Sequence, residues 1–132
     1  MQTWLSEIRR DFHRHPELAF AETRTTERIK DILSQLGVEL INLPGLETGA
    51  VGLIQGRDSG PVLGLRADID ALPLQEMNEV PYKSTVAGMM HACGHDAHTA
   101  IMLGVAKQIM EEGLWRRLKG TVKLVFQPAE EG

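Results

Sequence analysis

The 132-residue chain holds one cysteine, three phenylalanines, two tryptophans and one tyrosine. A lone thiol, Cys93, forms no internal disulfide, which excludes a disulfide-stapled scaffold and points to a reducing, cytoplasmic setting. A basic excess is also missing: 14 Lys and Arg stand against 18 Asp and Glu, a formal charge of −4. Nucleic acids and anionic membrane surfaces select a basic stripe, so neither is an expected partner. No apolar run approaches the roughly 20 residues of a membrane span, and residues 1–10 lack a long apolar segment behind a basic start. A soluble, unexported protein is the expectation. What is present suffices for one core, with 42% of residues hydrophobic and 24% charged.

Periodicity sets out the elements. Trp4, Leu5, Ile8 and Phe12 recur at helical spacing, with Thr3 available as an N-cap and Pro16 as the interruption. A second helix is expected from about Glu22 to Leu36, with Ile29, Ile32, Leu33 and Leu36 on one face and Gly37 as its stop. The period then changes. Residues 38–41 and 50–54 read as strands, and the Gly56-Arg57-Asp58-Ser59-Gly60 turn is expected to close a hairpin with residues 61–67. The last of these is an apolar run of the kind covered on both faces. From about Asp96 to Glu112 the pattern is helical again, and residues 121–126 read as a strand. Strand, helix and strand make a right-handed βαβ unit with parallel strands. Both tryptophans and the methionines are core candidates.

In open α/β sheets, functional groups gather beyond the carboxyl ends of parallel strands, beside the N-termini of crossover helices. Three polar clusters fall there: Asp68 and Asp70, then His91, Cys93, His95, Asp96 and His98, then Glu130 and Glu131. The topology predicts that they converge. Thiolate and imidazole suit zinc and other late first-row cations, and Gly94 lets a short loop turn Cys93 and His95 toward one centre. Carboxylates add bridging ligands or a general base. Each residue alone has a plainer use. A single Cys is usually a small buried hydrophobe, a His or Asp at a helix start is often a cap, and paired glutamates often form a solvated first turn. His13 and His15 are expected to be structural or to face substrate. A cysteine nucleophile paired with His91, His95 or His98 leaves the acids without a task, and a structural zinc knuckle needs four closed ligands. Metal-assisted hydrolysis uses all three clusters.

Four segments, residues 9–18, 65–73, 90–99 and 127–132, resemble successive signatures of the M20 metallopeptidase family. The likeness is to its amidohydrolase branch, which includes hippurate hydrolases, N-acyl-amino-acid amidohydrolases and auxin-conjugate hydrolases. That resemblance implies a zinc-peptidase-like mixed α/β sheet flanked by helices and a site for two divalent cations, manganese or zinc. It implies cleavage of the amide between an acyl group and an amino acid. By motif, Cys93, His95 and Glu131 are implied metal ligands, and Glu130 the general base. Asp68, Asp70, His91, Asp96 and His98 are implied to orient them. The family supplies two further histidine ligands, and no histidine follows His98 here. Residues 1–132 are therefore expected to be the N-terminal part of a catalytic domain, inactive alone and homodimeric in the full-length protein. The alternative expectation is a non-catalytic binding module, truncated or part of a split enzyme.

Overall fold

The computed structural model describes all of residues 1–132. Helix α1 (Gln2–Arg14) buries Ile8, Phe12 and His13. It begins ahead of Thr3, so Met1 occupies the N-cap position and the expected threonine cap does not form. Helix α2 (Thr23–Gln35) buries Ile29, Ile32 and Leu33. Its first turn is capped from a distance: the Glu17 carboxylate accepts the amides of Arg24 at 3.1 Å and Thr25 at 2.6 Å. Strands β1 (Glu39–Ile41), β2 (Ala50–Gln55) and β3 (Asp58–Asp68) follow, then helix α3 (His95–Glu111), a 3-10 turn (Leu114–Arg117) and strand β4 (Lys119–Gln127).

The sheet order is β1-β2-β4-β3, with β3 and β4 parallel and the other pairs antiparallel. The β3-α3-β4 unit thus has the parallel strands expected. The hairpin between β2 and β3 does not exist. β4 lies between them, and Val122 pairs with Ile54 on one side and Leu63 on the other. The turn after β2 is spent on that insertion, the Gly56 amide donating to the Gly120 carbonyl at 2.7 Å.

One face of the sheet carries Ala50, Ile54, Val122, Leu124 and Phe126 into a single core with Phe12, Ile29, Leu33 and Leu103. Leu124 and Phe126 are buried almost completely, and burying such side chains contributes about 1.5–3 kcal/mol each. Within residues 1–132 the expectation that residues 61–67 are covered on both faces fails, because the adjacent Val62 and Leu63, which point to opposite faces, are both exposed on the edge strand β3. Val62 is 63% and Leu63 58% exposed, and Ile101 on the outer face of α3 is equally open. The tryptophans sit at the core margin, and of the methionines Met102 is buried whereas Met77 is largely exposed. No helix is long and apolar enough to cross a membrane.

Candidate metal centre

Parallel pairing aligns the carboxyl ends of β3 and β4, Asp68 opposite Gln127. Both strands therefore release their following residues at one edge, where α3 begins. Gly94 has φ +92°, a conformation that costs glycine little and a side-chain-bearing residue more. Its carbonyl accepts the first helical amides of α3, those of Ala97 and His98. The His95 ring is thereby delivered at the helix start, buried and facing the strand ends.

Asp70 organises the edge. It is buried, and one oxygen lies 3.1 Å from His95 Nδ1, which also meets the Asp70 carbonyl oxygen at 3.0 Å. Both partners are acceptors, so Nδ1 carries the proton and the Nε2 lone pair is free. The other Asp70 oxygen accepts the Glu131 backbone amide at 2.8 Å. One carboxylate thus sets the direction of an imidazole and of the Glu130-Glu131 turn together. Nε2 points at Glu130, 3.8 Å away, and Glu131, 3.9 Å away.

Cys93 Sγ, a His95 ring nitrogen and a Glu131 carboxylate oxygen lie within 4.8 Å of one another. Two other triads share His95, one with Asp70 and Glu130 and one with Asp68 and His98. A thiol, an imidazole and a carboxylate converging on one point, with the imidazole oriented from behind by an acid, fit a late first-row divalent cation. The electrostatics agree. Cys93 is exposed, and its thiol is pushed up by its hydrogen bond to Glu131, some burial, and the negative charges of Glu131, Glu130 and Asp70. Those charges disfavour a free thiolate nucleophile and favour a bound cation.

The remaining motif residues stand in different surroundings. Asp68 is engaged by Arg66 at 2.6 Å. His98 is exposed, its ring 5.7 Å from that of His95. Asp96 faces away from the triad, pairing with Arg9 at 2.7 Å and His13 at 2.8 Å. His91 is buried with no hydrogen bond at either ring nitrogen. Burial pushes it down to about 4, against the pull of the Asp96 charge.

Of the residues around this region, His13 lies in the 9–18 segment and is expected from the sequence to be structural or to face substrate, whereas Glu76 carries no signal in the sequence. His13 stands between Asp96 and Glu76, its Nε2 3.0 Å from the Glu76 carboxylate, which also accepts the Ser84 amide at 2.8 Å. Burial pushes Glu76 up, but the Ser84, His13 and Asn78 contacts outweigh it and hold the carboxyl below its usual range. This chain of pairs ties the 72–90 loop to α1 and to the start of α3. Glu76 lies in an irregular polar stretch with no periodicity or motif to single it out.

Asp70→Ala is expected to weaken Zn²⁺ or Mn²⁺ binding by about 10- to 100-fold, because the His95 ring loses its orienting acceptor and the Glu131 amide loses its partner. Isothermal titration measures it, and unchanged affinity would remove Asp70 from this role.

Residues 64–132 match the family described as peptidase family M20/M25/M40. Over 129 residues the chain is 50% identical to an N-acetylcysteine deacetylase of Bacillus subtilis, covering 98% of this chain and 33% of that protein. It is also 50% identical to an IAA-amino acid hydrolase of Arabidopsis thaliana, covering 98% of this chain and 29% of that one. A crystal structure of a Bacillus subtilis dinuclear metal-binding peptidase of the M20 family superposes with a TM-score of 0.94 at 50% identity, over 98% of this chain and 35% of the other. The chain spans about a third of the length of these relatives. Sequence and fold agree, and the chain belongs to peptidase family M20/M25/M40.

Proposed function

We propose that the protein is a metal-dependent amidohydrolase that cleaves the amide bond of N-acyl amino acids, and that residues 1–132 are the N-terminal part of its catalytic domain. The observation that carries the reading is the Cys93, His95 and Glu131 triad with Glu130 beside it, built at the carboxyl edge of a parallel strand pair. Relatives named for hydrolysing N-acetylcysteine and an amino-acid conjugate support the substrate class. The dinuclear description of a structural neighbour supports a site for two cations, manganese or zinc. Cys93, His95 and Glu131 would hold one of them. The apolar edge of β3, with Val62 and Leu63 exposed, supports continuation of the sheet by further chain. The expected full-length state is a homodimer acting on a small substrate, and the unpaired, exposed Cys93 suits the cytoplasm.

A bound cation supplies Lewis acidity for water and for the scissile carbonyl. Glu130 does the proton work. Its carboxylate is 40% exposed and borders His95 Nε2, which places it where an attacking water enters. It takes a proton from that water at a carboxylate oxygen and returns it to the nitrogen of the leaving amine. Asp70 keeps its orientation throughout, holding the His95 ring and the Glu131 amide.

The test is hydrolysis of N-acetyl and N-benzoyl amino acids by the full-length protein, with metal content measured alongside. Turnover that a chelator abolishes and Mn²⁺ or Zn²⁺ restores is expected. Metal binding without turnover of any N-acyl amino acid would favour the non-catalytic module instead.

A further inference from the structure

The Glu130-Glu131 turn is gripped from α2 as well as from β3. Glu22, at the N-terminal edge of α2, has no solvent exposure, and its Oε1 accepts the Ala129 backbone N–H at 2.8 Å across 107 positions of sequence. The helix does not need it there. Glu22 makes no capping bond, and the first amides of α2 go to Glu17. Taking a carboxylate wholly out of water is costly, and Glu22 Oε2 is buried with no partner among residues 1–132. The residue it reaches is also unusual. Ala129 has φ +55°, one of two non-glycine residues in the left-handed region, the other being Phe20.

Beside it, Gly49 donates its amide to Thr26 Oγ1 at 2.8 Å. A side chain at Gly49 would meet Pro128 Cδ at 2.7 Å. The start of α2 and the Gly49 bend thus form a seat against which the turn packs.

We propose that Glu22 is a positioning residue for Glu130. Its carboxylate holds Ala129 in the left-handed conformation, and so sets the direction in which the next side chain leaves the turn. This rests on the reading of Glu130 as general base. Asp70 ties the Glu131 amide that follows Glu130, and Glu22 ties the Ala129 amide one residue ahead of it, so the turn is held on both sides of Glu130. Without Glu22, Ala129 relaxes toward the right-handed region that L-residues prefer, and the following peptide turns with it.

The experiment compares Glu22→Ala, Glu22→Gln, the double variant Glu22→Ala with Ala129→Gly, and Glu130→Gln in the metal-loaded full-length protein, using an N-acetyl amino acid as substrate. Glu22→Ala is expected to lower kcat by about 10- to 100-fold at unchanged KM and metal content. Glu22→Gln keeps an acceptor oxygen and recovers most of that loss. Ala129→Gly recovers part of it, because glycine holds a positive φ without steric cost. Amide exchange gives a readout independent of activity: the Ala129 N–H is protected in the wild type and in Glu22→Gln, and exposed in Glu22→Ala. Wild-type kcat in Glu22→Ala beside an inactive Glu130→Gln overturns the positioning role alone. Full activity of Glu130→Gln overturns the general-base reading and this role with it. Free exchange of Ala129 in the wild type overturns the proposal even where Glu22→Ala fails to fold.

Discussion

Glu130→Gln is expected to lower kcat on an N-acyl amino acid by about 10²- to 10⁴-fold, with bound metal and KM close to those of the wild type. Glutamine matches glutamate in shape, keeps an acceptor oxygen and cannot take a proton from water. The side chain is 40% exposed, and surface substitutions of this kind usually change stability by about 0.5 kcal/mol or less. Loss of activity is therefore separable from loss of fold. Cys93→Ser and Glu131→Gln behave differently, because each removes a donor of the triad. Their activity loss is expected to follow metal content, and excess Mn²⁺ or Zn²⁺ restores part of it. A cysteine nucleophile reverses this pattern: Cys93→Ser is then inactive at full metal content, and Glu130→Gln retains turnover. The acids around Cys93, which push its thiol up, argue against that outcome. Steady-state kinetics with metal analysis on the three variants decides between them, and a Glu130→Gln protein that turns over at the wild-type rate rules out the general base assigned here.

The elements legible in the sequence are those whose signal is local. Ile8 and Phe12, and Ile29, Ile32 and Leu33, repeat at helical spacing because each helix buries one face. Strand, helix and strand implied parallel β3 and β4, and that pairing brings the three polar clusters to one edge. Adjacency in sequence misled at the 56–60 turn, since nothing local says that β4 inserts between β2 and β3. The apolar run of β3 was equally ambiguous. It reads as a strand covered on both faces, and within residues 1–132 only β4 pairs with it.

At the candidate site, the residues inside short motifs were readable as candidates, Asp70 among them, whereas the carboxylates that act from outside the motifs were not. Glu22 and Glu76 act over separations of 107 and 63 positions, distances at which a single sequence carries no pairing signal. His91 shows the opposite case. It sits in the most informative stretch, yet neither of its ring nitrogens meets a partner.

That isolation predicts an acid-sensitive fold. In metal-free protein, His91 titrates near pH 4 when folded and near 6.5 when unfolded. Burial disfavours its charged form, the charges of His13 and His95 add to that effect, and those of Asp96 and Asp70 oppose it. A folded pKa depressed for a histidine means that the unfolded chain takes up the proton first as pH falls. The stabilising contribution is complete above pH 6.5 and declines as pH drops from 6.5 toward 4. Linkage puts the decline at about 2 kcal/mol between pH 7 and 5.

Asp11 and Glu76 contribute in a lower window. Burial pushes Asp11 up, but Arg24 and Arg28 outweigh it and hold the carboxyl below its ordinary value. Such lowered carboxylates stabilise above their unfolded pKa values, near 4, and lose that contribution only as pH falls through their folded values. The interval from pH 7 to 5 thus separates His91 from these two carboxylates, and comparison with a His91 variant removes what the other histidines contribute to both proteins. Urea unfolding of the chelator-treated wild type and of His91→Gln across that interval measures the difference, the variant being less stable at pH 7 and flatter with pH. Equal slopes for the two proteins would mean that His91 finds a partner in solution and is not the buried neutral group described here.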